Sequence, residues 1–217
     1  MMSVGLTFDA TGDARAEAGL VGPNAVIQLA AALRAEPPTK DLAEQIFQAA
    51  GFSRLLKNPP DALIDEAIPA RLFEAVWQQL PPEQAARIAY DAGRRTGAYV
   101  LANRIPKFAQ LLLRTLPKPI AANLLLKAIR KNAWTFAGSG LCSIEPGDPA
   151  QLMIAHNPLT MPGCVWHCGV LEQLFSALVN KSTRVRHVER PVNGASASCF
   201  AIDWRAKSTQ GAVDKAA

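Results

Sequence analysis

The chain has 217 residues, 49% hydrophobic, 19% charged and 6% aromatic, enough to bury the core of one or two domains and unlike disordered, collagen-like or acidic solvating chains. Its formal charge of +5 divides unevenly: residues 1–91 carry net −5, residues 92–144 carry +9 without a single Asp or Glu, and residues 145–217 carry +1. No apolar run reaches the roughly 18 residues of a membrane span, and the N-terminus, with Asp9 and no apolar stretch, does not read as a secretory signal.

Residues 1–20 read as a flexible leader, 21–80 as an N-terminal helical segment, 81–205 as a second domain and 206–217 as a polar, disordered tail. In the helical segment, Gly22-Pro23-Asn24 opens a helix over about 23–35, and a second over about 41–50 ends at Gly51. A third runs over about 61–79 with a kink at Pro69. Pro81-Pro82-Glu83 starts the strongest helical pattern, about 83–104. Gly93 and Gly97 share one face of it, which calls for close approach by another backbone or by a flat ligand. Pro106, Pro117 and Pro119 divide the next stretch into helices 107–116 and 119–132, rich in Leu, Ile, Arg and Lys and free of acids, as an interfacial amphipathic segment would be.

Past residue 132 the pattern turns to strands. Residues 133–137 and 142–144 read as a strand pair or one bulged strand around Gly138-Ser139-Gly140, followed by a strand over 151–155, a helix over 163–180, and strands over 184–189 and 198–204. Helices first, then a mostly antiparallel sheet with one crossing helix, is an α+β architecture.

Few residues announce chemistry, and none is identified as catalytic. The one G-x-G lacks the third glycine and the βαβ frame of a dinucleotide site. No G-x-S-x-G is present, and the three histidines have no paired carboxylate at a telling spacing. Cys164 and Cys168 share a face of the predicted 163–180 helix, while Glu189 and Cys199 sit at strand ends flanking one turn; thiolate and carboxylate are zinc ligands, and cysteine is equally a small core hydrophobe. The acid-free block supplies Arg94, Arg95 and Arg104 as partners for an anion. Its interleaving with Leu and Ile, rather than with aromatic residues, favours an apolar ligand edged with carboxylates, or an anionic membrane surface, over nucleic acid.

With those residues in view, the chain resembles the bacteriochlorophyll 4-vinyl reductase family. The resemblance is carried by Gly22-Pro23-Asn24-Ala25-Val26, Ala50-Gly51, Ile64-Asp65-Glu66, Ala92-Gly93-Arg94-Arg95-Thr96-Gly97, Asn157-Pro158, Cys164, Gly169, Glu189, Gly194 and Cys199-Phe200, in order over most of residues 22–204. It implies that residues 81–205 form a 4-vinyl reductase domain, similar in fold to a vesicle-tethering subunit family with helical dimer contacts. It implies a role in bacteriochlorophyll biosynthesis at the 8-vinyl reduction of a chlorophyllide. It also implies a zinc held by Cys164, Glu189, Cys199 and a further cysteine near Val192, where this chain has none, leaving Cys168 or a histidine to stand in, or no metal.

Vinyl reduction needs a hydride and a proton, and no reductant-binding motif is visible. The residues therefore fit a carrier or assembly factor for a Mg-porphyrin or chlorophyllide intermediate, with Gly93, Arg94, Arg95, Gly97 and Arg104 at the ligand. The reductase itself, or a small-molecule-sensing module, are the alternatives. The expected partners are the porphyrin, other enzymes of the pathway, a second copy of the chain and a membrane, not nucleic acid. The expected location is the cytoplasm or the inner face of the photosynthetic membrane.

Overall fold

The computed structural model describes residues 19–36, 41–145, 147, 149–192 and 195–205, with backbone alone for 189–192 and 195–196. The expected leader and tail lie almost wholly outside these residues. Prolines set the helix starts. Pro81, Pro106 and Pro117 are each extended, with ψ of 141°, 142° and 134°, and each directly precedes a helix. Their fixed φ and missing N–H suit a helix entrance.

The N-terminal elements are β1 (Leu20–Val21), α1 (Asn24–Arg34), α2 (Leu42–Ala49), the single turn α3 (Arg54–Lys57), β2 (Ile64–Asp65) and α4 (Ala67–Gln79). The third helix begins later than its periodicity predicts: residues 64–65 pair with β1, and the Asp65 carboxylate accepts the Ala67 N–H at 2.8 Å. Pro69 thus falls in the first turn of α4, where it starts a helix instead of kinking one. Next come α5 (Pro82–Asn103), α6 (Lys107–Thr115), α7 (Lys118–Lys131) and the short α8 (Trp134–Ala137). α8 corrects the strand expected over 133–137: Ala137 N–H closes a helical turn onto Ala133 O at 2.7 Å, and Gly138 (φ 55°) then breaks it.

The sheet comprises β3 (Leu141–Glu145), β4 (Ala150–Ala155), β5 (Arg184–Val192) and β6 (Ala195–Asp203), antiparallel throughout in the order β3-β4-β6-β5. α9 (Val165–Leu178) runs between α5 and the sheet. Ten of its fourteen residues are buried, as expected of a helix covered on both sides. Among the described residues one core continues from Val21 to Trp204, through α1, α4, α5, α9 and the inner sheet face of Leu152, Ile154, Phe200 and Ile202.

The N-terminal elements are tied to the sheet end by a few polar contacts. Gly22 N–H donates to Thr135 O at 3.0 Å. The Glu66 carboxylate accepts the Ser139 N–H at 2.7 Å and the Ser139 hydroxyl at 2.8 Å.

Candidate functional site

Gly93 and Gly97 form part of a helix crossing. A Cβ on Gly93 would lie 2.1 Å from Trp166 O, and one on Gly97 2.9 Å from Val170 O, both on α9. α9 answers with Gly169, whose missing Cβ leaves room for Tyr90 O at 2.4 Å. The body that approaches the two glycines is therefore the α9 backbone. The neighbouring arginines are engaged by protein groups. Arg94 donates from Nε and Nη2 to Gln173 Oε1 at 3.1 and 2.7 Å, and Arg95 pairs with Asp91 at 2.6 Å one turn back. Arg104 is exposed just past the end of α5, beside the start of α6.

Below the crossing lies a buried polar cluster. The Glu172 carboxylate accepts the Tyr90 hydroxyl at 2.7 Å and the Val185 N–H at 3.0 Å, with Arg184 3.7 Å away. Burial, then the bond to Glu172, pushes the Tyr90 phenol up to about 12. His167 is packed edge-on against Trp166 and tilted against Phe200, with ring centroids 4.9 and 5.4 Å away. Its Nε2 is 3.2 Å from Phe136 O, and Nδ1 has no hydrogen-bond partner among the described residues. Burial holds this imidazole down at about 4, so it is neutral at ordinary pH.

The cysteines divide between the two faces of the sheet. Gly163 and Cys164 both adopt left-handed backbone (φ 66° and 41°) where the chain enters α9. That turn sets Cys164 Sγ 3.4 Å from Ser198 Oγ, and Asn157 Nδ2 donates to the same hydroxyl at 3.2 Å. Cys168 Sγ donates toward Gly163 O at 3.8 Å, and burial pushes its thiol up to about 12. Cys199 follows Ser198 in β6 and so projects to the other face, where its Sγ donates to Gln151 Oε1 at 3.2 Å. Glu189 pairs in register with Ser198; its side chain lies outside the described residues. Cys164 and Cys168 are thus on the opposite side of β6 from Cys199, so these three thiols do not converge on one point. Among the described residues no group of three or more His, Cys, Asp or Glu could hold a metal ion.

The acid-free stretch behaves differently. α6 turns most of its large apolar residues outward: Leu113 packs against the core, while Gln110, its buried residue, donates from Nε2 to Leu101 O at 2.6 Å and Ile105 O at 2.8 Å, capping the end of α5. Arg114 Nε donates to Ala177 O at 3.1 Å near the end of α9. The outward side carries Phe108, Leu111 and Leu112, 61%, 64% and 52% exposed. α7 buries Ala121, Ala122, Leu125, Leu126 and Ile129, and presents Ile120 and Leu124 to solvent. Pro119, Ile120, Asn123, Leu124 and Lys127 line a shallow depression there. This hairpin is the candidate functional surface: large apolar side chains outside, six cations and no acid in its two helices. Its amphipathic character is legible in the sequence; the outward direction of α6's apolar side depends on Gln110 and Arg114, whose partners lie on other elements.

No protein-family model matches the chain. It is 39% identical over 191 residues to the bacteriochlorophyll synthase 23 kDa chain of Cereibacter sphaeroides, covering 84% of this chain and 89% of that one. It is 34% identical over 202 residues to the protein of the same name from Rhodobacter capsulatus, covering 87% and 89%. Among solved structures, a Cs H-NOX mutant superposes with a TM-score of 0.56 at 13% identity, covering 86% of this chain and 97% of that one. An H-NOX mutant from K. algicida gives 0.52 at 10%, covering 84% and 96%. At these identities the likeness is one of fold.

Proposed function

The chain belongs to the family of the bacteriochlorophyll synthase 23 kDa chains, and so to bacteriochlorophyll biosynthesis; on that premise we propose that it binds a Mg-porphyrin or chlorophyllide intermediate and carries it to the other enzymes of the pathway, working at the inner face of the photosynthetic membrane. The observation that carries the reading is the α7 depression. Its lining combines Pro119, Ile120 and Leu124, apolar surface for a macrocycle to rest on, with Lys127, whose ammonium would meet a carboxylate. A charge-assisted contact of this kind is worth about 1.5–3 kcal/mol. Of the three arginines expected at the ligand, Arg104 is the one beside this hairpin. No residue is assigned a redox step, and the two electrons of a vinyl reduction come from a partner in this reading.

The test is a titration of the full chain with a Mg-porphyrin bearing free carboxylates. We expect a Soret shift, a roughly tenfold weaker one for Lys127→Ala, and none for Ile120→Asp/Leu124→Asp. An unshifted Soret band with the wild-type chain overturns the reading. Conversion of the 8-vinyl to the 8-ethyl group with only NADPH added would make the chain a reductase in its own right.

A further inference from the structure

We propose that α6 is a docking surface for an anionic lipid bilayer, lying flat in the headgroup layer with Phe108, Leu111 and Leu112 immersed. These residues stand at i, i+3 and i+4, on one side of the helix. A helix that serves only its own fold turns its apolar side inward. Here only Leu113 of the four large apolar residues of α6 packs against the core; beside it on the inward side are Gln110, which donates to Leu101 O of α5 and to Ile105 O just past it, and Arg114, which donates to one α9 carbonyl. Phe108, Leu111 and Leu112 are thereby held outward, and among the described residues they remain 61%, 64% and 52% exposed.

Charge identifies the occupant. Lys107 and Arg114 on α6 and Lys118, Lys127 and Arg130 on α7 carry positive charge, and neither helix contains an Asp or Glu. Two copies of the chain apposed through this face would bring like charges together. A sheet of lipid phosphates meets both features at once, since cations bind at the headgroups while Phe and Leu enter the acyl boundary. Among the described residues no helix is long and apolar enough to cross a membrane, so the contact is peripheral.

The inference deepens the carrier reading, on which it rests for its purpose alone. A macrocycle in the shallow α7 depression keeps one side open to solvent, and a bilayer against the neighbouring helix is a source from which that apolar pigment is collected.

The test is co-flotation of the full chain with pigment-free vesicles. Phosphatidylglycerol-rich vesicles should carry the protein upward at low salt, with binding lost as salt is raised. Pure phosphatidylcholine vesicles should carry little. Phe108→Ser/Leu111→Ser should bind anionic vesicles about tenfold more weakly, with unchanged melting and an unchanged Soret titration. Three outcomes overturn the proposal: no flotation with anionic vesicles at low salt, flotation of the double variant equal to wild type, or self-association abolished by the double variant without any vesicle binding, which would make a second copy the occupant. Flotation kept with no Soret shift defeats the carrier reading alone; a Soret shift kept without flotation defeats this inference and the membrane location, and leaves pigment binding standing.

Discussion

The α5–α9 crossing and the α6–α7 hairpin adjoin in the chain and answer opposite demands. At the crossing, small residues let two backbones meet, and even polar Glu172 is buried with its partners satisfied. In the hairpin, α7 buries an apolar side of its own, yet Phe108, Leu111, Leu112, Ile120 and Leu124 are left in water while Gln110 is turned inward. We expect the first region to carry much of the conformational stability and the exposed side of the second to carry little. Substitution should therefore separate fold from function cleanly between them.

The sharpest break is steric. Gly93→Ala places a methyl group against the Trp166 carbonyl, a backbone atom that cannot swing aside. We expect a loss of about 3 kcal/mol or more in urea unfolding, with Gly169→Ala similar through Tyr90 O. A loss below about 0.5 kcal/mol would mean the helices do not cross at these glycines.

Acid should act on the same region. His167 is held at about 4 when folded, against 6.5 for the free side chain. The unfolded chain then binds the extra proton first, so this contribution is full above about pH 6.5 and is lost as pH falls toward 4. The loss is on the order of 3 kcal/mol. A pH titration of stability with wild type and His167→Phe should differ in slope across that window, and parallel curves would place the imidazole in water.

A smaller effect is expected at Glu172. Glu172→Ala leaves the Tyr90 hydroxyl and the Val185 N–H without their acceptor, for a cost of about 2 kcal/mol. It should also return the Tyr90 phenol toward its ordinary ionisation in ultraviolet titration.

The smallest change should come from the hairpin. Leu111→Ser or Ile120→Ser, at side chains 64% and 50% exposed, should alter stability by no more than about 0.5 kcal/mol. A larger loss would show that the exposed face supports the fold and would erase the contrast between the two regions.

How much of this was legible in the sequence depended on the range of each signal. Pro81, Pro106 and Pro117 act on their own and the next residue, and the helix entrances they predict are where the chain turns. Trp134, Thr135 and Phe136 have strand propensity, yet a local helical turn closed by Ala133 and broken by Gly138 overrides it. Gly93 and Gly97 announce a close approach, but the approaching backbone comes from a distant segment. The cysteines were hardest. Ser198 and Cys199 are neighbours in sequence, and only the sheet register decides that the second turns away from Cys164 toward Gln151. α6 conceals its direction for a related reason, because an amphipathic pattern does not say which side its neighbours will claim.

The distance between the two halves of the crossing bears on how the chain is made. Arg94 and Gln173 are 79 residues apart, so α5 leaves the ribosome long before α9 exists. Until then its glycine face has nothing to cover it, and each interior glycine weakens the isolated helix by about 1 kcal/mol. The Glu66–Ser139 bonds impose a similar delay on the N-terminal elements. Folding is thus a late event of synthesis, timed by the arrival of α9 and the last strands, and a chain interrupted before residue 165 would be an open set of helices with its apolar faces uncovered.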